Sequence, residues 1–296
     1  MRILLLGKNG QVGWELQRSL AILGELVALD RRGAPHLSGD LTDLEGLRTT
    51  IRRCRPDIIV NAAAYTAVDF AEQQQDLASL VNEQAPRLLA NEAQKLGALL
   101  VHYSTDYVFN GEGIAAWSET DLPAPLNHYG ASKLAGEKAI EGSGCRYLIF
   151  RTSWVYASRA NNFLTTMHRL IREREVLRVV ADQIGTPTSA ELIADVTALA
   201  IRDAQHREVQ GLYHLAASGE TSWYRYATTI GNWLEEQGKE VKVRPTAIKP
   251  IPSSNYPTPA ARPLNSRLNT VKLCRAFGIR LPDWHSGVVR ALAELT

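Results

Sequence analysis

The chain has 296 residues, with 33 Lys and Arg against 31 Asp and Glu, a formal charge of +2. Hydrophobic residues make up 45% and charged residues 22%, which excludes a disordered chain and fits one large or two smaller globular domains. The charge balance argues against a dedicated nucleic-acid binder, and three distant cysteines (Cys54, Cys145, Cys274) argue against a zinc site or a disulfide framework.

The first apolar run, 3–6, reads as a buried strand and is too short for a signal-peptide core. No segment approaches the ~20 apolar residues of a membrane span, so a cytoplasmic protein with no membrane partner is expected. The stripe Val12, Leu16, Leu20, Leu23 predicts a helix over 11–23. A strand over 26–29, a helix over 44–54 and a strand over 58–60 follow. A long helix over 76–96, a strand over 99–103, a helix over 127–141 and a strand over 147–150 complete the first half. This alternation predicts an α/β fold: a doubly wound parallel sheet of Rossmann type, its strands apolar because helices cover both faces. The second half is less regular, with helices over 163–174 and 190–204 and a strand over 211–215. Six prolines in 245–263 forbid a helix there and suggest a loop that shapes or covers a site. The expected division is a dinucleotide-binding domain over 1–152, with 190–215 returning to it. The segments 153–189 and 216–296 mainly form a smaller C-terminal α/β substrate lobe.

Gly7-Lys8-Asn9-Gly10-Gln11-Val12-Gly13 links the first strand to the first helix. Glycine lets the backbone turn tightly and approach a pyrophosphate, and the helix N-terminus offers free N–H groups, Gln11 and Val12 among them. Asp30, after the second strand, suits the ribose hydroxyl of NAD, whereas Arg31 and Arg32 suit the 2′-phosphate of NADP, so both cofactors are expected. Asp40 and Leu41 are placed to bracket an adenine. The small Ala62, Ala63 and Ala64 let a cofactor pass close to the third strand's end. Tyr129-Gly130-Ala131-Ser132-Lys133 sets Tyr and Lys on one helix face, where an ammonium lowers the phenol's pKa and lets it move a proton near neutrality. Ser104 and Thr105 end the fourth strand, on the ligand side of an open α/β sheet, and either hydroxyl can bond a reacting oxygen.

These three motifs resemble the extended short-chain dehydrogenases/reductases. The segments Val60–Asp69, Tyr103–Phe109, Arg151–Tyr156, Asp182–Thr188 and Thr258–Ser266 narrow the resemblance to the dTDP-4-dehydrorhamnose reductase family. The resemblance implies hydride transfer from NADPH or NADH to the C4 carbonyl of dTDP-4-dehydro-6-deoxy-L-mannose, a dTDP-4-keto-6-deoxy-L-sugar. It assigns Tyr129 as proton donor, Thr105 as the hydroxyl on the same oxygen with Ser104 in reserve, and Lys133 to the nicotinamide ribose. Trp154 would stack on the sugar, and Arg262 and Asn265 would meet the substrate, Arg262 at the diphosphate. Some members use Mg²⁺ and a homodimer held through acidic residues; the matching positions are Glu15, Glu191 and Glu294. The alternatives are a nucleotide-sugar epimerase or dehydratase, which retains its cofactor through the cycle, and a non-catalytic regulatory subunit.

Overall fold

Five βα repeats and a late sixth strand build the core of the computed structural model, which describes residues 1–295. The strands are β1 (Arg2–Leu6), β2 (Glu25–Leu29), β3 (Ile58–Asn61), β4 (Leu99–Thr105), β5 (Arg146–Thr152) and β6 (Gly211–His214). They form one parallel sheet in the order β2-β1-β3-β4-β5-β6. The order reverses between β1 and β3, the switch point where ligands bind in such sheets.

Successive strand residues point to opposite faces, and the burial follows that rule. Ile3, Leu5, Ile58, Val60, Val101 and Phe150 face one layer, made by helices α1 (Gln11–Ala21) and α6 (Ala190–Ala204). Leu4, Leu6, Ile59, Leu100 and Ile149 face the other, made by α2 (Leu44–Cys54), α3 (Ala85–Leu96) and α4 (His128–Glu141). The centres of β1, β3, β4 and β5 are apolar because both faces are covered, whereas the edge strand β2 stays partly exposed. Helix α8 (Val271–Phe277) lies far along the chain, yet Leu273 and Phe277 enter the first layer.

A separate core joins α5 (Phe163–Glu173), α7 (Trp223–Glu236) and α9 (Trp284–Ala293) through Leu164, Met167, Tyr226, Ile230, Val288 and Leu292. Short strand pairs tie this lobe together. Among them, Lys249–Ile251 runs parallel to Arg178–Val180 inside the proline-rich segment, which holds no α-helix but is more ordered than a plain loop.

The long helix expected over 76–96 is interrupted. An α-helical turn at Gln75–Ser79 passes through a π-helical turn at Leu80–Gln84 into α3. Pro86 lacks the N–H that regular winding requires, so the preceding turn widens. Asn82, in the wide turn, uses its side chain to bond the backbone of Tyr65, with Nδ2 donating to the Tyr65 carbonyl and Oδ1 accepting its N–H.

Candidate active site

One large cavity of about 1080 Å³ opens beyond the carboxyl ends of β1, β3 and β4. The glycine loop forms its floor. Gly7 sits at φ +88, and a Cβ there would come within 3.0 Å of the Ala62–Ala63 backbone. A Cβ on Gly13 would stand 2.0 Å from the Gly7 carbonyl, so the first turn of α1 can nest on the loop only because Gly13 has no side chain. Gly10 caps α1 without a side-chain hydrogen bond, which leaves the first-turn N–H groups to an outside acceptor. These features fit a pyrophosphate-bearing dinucleotide.

Gly7, Gly10, Gln11, Val12, Asp30, Arg31, Arg32, Asp40, Leu41, Ala62, Ala63 and Ala64 all line this cavity. Asp30 accepts from Asn9 Nδ2 at 2.5 Å and from the Arg32 N–H at 2.9 Å, and Arg31 Nε donates to Asp40 at 3.2 Å. The acid and the two guanidiniums therefore share one rim. Thr42 and Arg31 hold the Asp40 carboxyl below its usual range against the effect of burial.

Ser104, Thr105, Tyr129 and Lys133 meet in the same cavity. The sheet and α4 bring them together: β4 ends at Thr105, and α4 starts at His128 with the Asn127 side chain accepting from Gly130 N–H at 2.8 Å. Thr105 Oγ1 accepts from the Tyr107 N–H at 3.2 Å and lies 3.3 Å from Asp106 Oδ1. Ser104 Oγ is buried and makes no hydrogen bond within the described residues. Burial pushes the Tyr129 phenol up to about 12, with the Thr105 hydroxyl opposing and Asp106 adding to the rise. Burial likewise pushes Asp106 up to about 7, against a hydrogen bond from Ser266.

Lys133 corrects one expectation. Its Nζ donates to the Tyr103 carbonyl at 2.6 Å and lies 3.1 Å from His102 Nε2, with Lys133 and His102 both buried. In these positions its hydrogen bonds go to Tyr103 and His102, and burial dominates the Tyr129 phenol, which is raised instead of lowered. Burial also brings Lys133 itself down to about 8, with the Glu137 carboxylate opposing. Its side-chain partner, His102, is a residue no sequence motif exposed.

Trp154 lines the cavity, at the rare positive φ of +48. The two proline-loop candidates do not. Arg262 makes a two-armed ion pair with Asp69, at 3.1 and 2.8 Å, which occupies the guanidinium expected on a diphosphate. Asn265 is buried; its Nδ2 donates to the Ala115 carbonyl at 2.8 Å and its Oδ1 accepts from Arg267, so it braces the loop. The acidic trio is also corrected. Glu15, Glu191 and Glu294 do line one small cavity. However, Glu191 accepts two hydrogen bonds from Arg290 and Glu294 accepts one from Ser158. Among the described residues no set of three His, Cys, Asp or Glu side chains is arranged to hold a metal ion. The large cavity beyond β1, β3 and β4 is further lined by Asn161, Phe163, Trp223 and Tyr226, which sequence reasoning missed because their neighbours in space are distant in sequence.

A parallel dinucleotide-binding sheet with a Tyr-x-x-x-Lys pair and a strand-end threonine in one cavity defines the extended short-chain dehydrogenase/reductase class. The sequence profile of the RmlD substrate binding domain matches residues 1–296, and the chain belongs to that family. It is 53% identical to dTDP-4-dehydrorhamnose reductase of Salmonella typhimurium, over 100% of this chain and 98% of that protein. Its fold matches the dTDP-4-dehydrorhamnose reductase of Bacillus anthracis in complex with NADP, with a TM-score of 0.86, 36% identity and 99% of both chains covered. It also matches an ortholog from Clostridium acetobutylicum, with a TM-score of 0.90, 34% identity, and 100% of this chain and 99% of that one covered. Among the described residues no helix is long and apolar enough to cross a membrane.

Proposed function

We propose that this chain reduces dTDP-4-dehydro-6-deoxy-L-mannose to dTDP-L-rhamnose with NADPH or NADH, the last step of dTDP-L-rhamnose synthesis, in the cytoplasm. The observation that carries this reading is the convergence of the glycine loop, Thr105, Tyr129 and Lys133 on one cavity, in a chain with full-length similarity to such reductases. The residues of 1–152 and 190–215 are read as the cofactor lobe, and most of the rest as the sugar lobe. Helix α8 is the part of the latter that packs on the sheet.

The cofactor, when bound, supplies the hydride that reduces the C4 carbonyl. The chain supplies the rest. The first-turn N–H groups of α1 hold the pyrophosphate, and the Asp30, Arg31 and Arg32 rim takes the adenosine ribose or its 2′-phosphate. Lys133 holds the nicotinamide ribose hydroxyls. The Tyr129 phenol, with its pKa near 12, keeps its proton throughout the neutral range and so carries the proton that the carbonyl oxygen receives. Thr105 bonds and orients the same oxygen.

The test is oxidation of NADPH and NADH by the purified protein, supplied with the keto-sugar made in situ from dTDP-glucose. Stoichiometric oxidation with formation of dTDP-L-rhamnose is expected, and Tyr129→Phe should lose most turnover while binding NADPH as before. Conversion of the keto-sugar to an isomer at the same oxidation level, without net cofactor oxidation, would indicate an epimerase instead. Cofactor binding with no turnover would favour the regulatory-subunit reading.

A further inference from the structure

The cavity also has an aromatic wall that the reading above leaves largely unused. The indoles of Trp154 and Trp223 stack with centroids 3.6 Å apart and planes 13° from parallel. They reach this contact from distant parts of the chain, Trp154 from the turn after β5 and Trp223 from the first residue of α7. Both are held from behind. A Cβ on Gly185 would come within 2.6 Å of the Trp154 ring, so the glycine lets the indole lie against the backbone. Trp223 Nε1 donates to Gln183 Oε1 at 3.0 Å, and Gln183 Nε2 donates in turn to Ser253 Oγ at 3.2 Å. The Phe163 ring lies 4.5 Å from Trp223. Trp223 is thus fixed in angle, its one polar atom is satisfied, and the surface it adds to the cavity is carbon.

We propose that Trp223 is a further substrate-binding residue, which positions Trp154 and forms with it the apolar wall that receives the sugar's C6 methyl and apolar ring face. The inference rests on the reductase reading. A 6-deoxysugar carries a methyl group where an ordinary hexose carries a hydroxymethyl. A wall of indole carbon gains from burying that methyl, and would leave a hydroxyl without a hydrogen-bond partner.

The experiment uses the full chain labelled with fluorotryptophan, whose six tryptophans give separate ¹⁹F resonances, with Trp154 assigned by Trp154→Phe. In Trp223→Leu the Trp154 resonance should move, because the ring current of its neighbour is gone. Trp14 and Trp117, outside the stack, should stay and report an intact fold. Binding of dTDP-L-rhamnose should weaken about tenfold, equivalent to about 1.4 kcal/mol, while binding of dTDP alone stays unchanged. Trp223→Phe should recover part of the loss, and it serves as the folded comparison if the leucine variant does not fold. An unmoved Trp154 resonance, or equal losses for dTDP and dTDP-L-rhamnose with normal wild-type turnover, overturns the wall alone. If wild type binds dTDP-L-rhamnose no more tightly than dTDP and oxidises no NADPH with the keto-sugar, the reductase reading fails, and the wall's ligand with it.

Discussion

At the residue scale, two buried titrations decide which group responds to pH. Tyr129 stays protonated well past pH 10, since burial holds it near 12. Lys133 is lowered to about 8, so its ammonium form is present below that pH and is lost as pH rises through it. If Lys133 orders the cofactor ribose, NADPH affinity should fall between about pH 7 and 9. Fluorescence titration of NADPH across this range measures it. Arginine stays charged at these pH values, so Lys133→Arg should abolish the fall. A fall that persists in that variant would assign the titration to another group. The glycine loop gives a second prediction. Gly13→Ala sets a methyl 2.0 Å from the Gly7 carbonyl, and the loop must open to admit it. Thermal unfolding should show a loss of about 1–3 kcal/mol, the usual range for overpacking, together with weakened NADPH binding.

At the scale of elements, α4 matters most, because it carries both Tyr129 and Lys133. One anchor fixes it to β5. Arg151 donates to Glu137 through Nε at 2.9 Å and Nη2 at 2.6 Å, with both side chains at most 4% exposed. The guanidinium also lies 5.0 Å over the Phe109 ring. Such a pair adds little net stability against an apolar replacement, but breaking one side strands a buried charge. Glu137→Gln should therefore cost about 3–5 kcal/mol in denaturant unfolding. Glu137→Gln with Arg151→Met should recover part of that loss; a double variant as unstable as the single one would refute this account. The π-helical turn before α3 acts on the same neighbourhood, since Asn82 Nδ2 also donates to Ser132 Oγ on α4.

At the scale of the whole molecule, the proline-rich segment is clasped to the stretch after β3 through the Asp69–Arg262 pair. Both partners are partly exposed, so the pair contributes at most about 1 kcal/mol to stability. Its role is geometric: it holds the 258–263 stretch beside the turn that follows β3, where Thr66 and Val68 line the cavity. Arg262→Ala should raise KM for the keto-sugar severalfold, with the NADPH Kd unchanged and the melting temperature nearly so. An unchanged KM would show that the segment keeps its place without the clasp.

What the sequence alone determined was local. Periodicity gave the alternating strands and helices of the sheet, because burial on two faces writes a continuous apolar run into each strand. The glycine spacing, the strand-end Thr105 and the Tyr129–Lys133 interval were readable because each depends on a turn, a strand end or one helical face. Only the tertiary structure decided the matters that depend on distant partners. It placed α8 on the sheet, paired Arg262 with Asp69, gave Glu191 to Arg290, and turned Lys133 towards His102 and Tyr103. It also stacked Trp223 on Trp154. The physical reason is common to all five: a side chain's charge state and direction follow from whichever neighbours burial brings within about 4 Å, and spacing along the chain does not specify them.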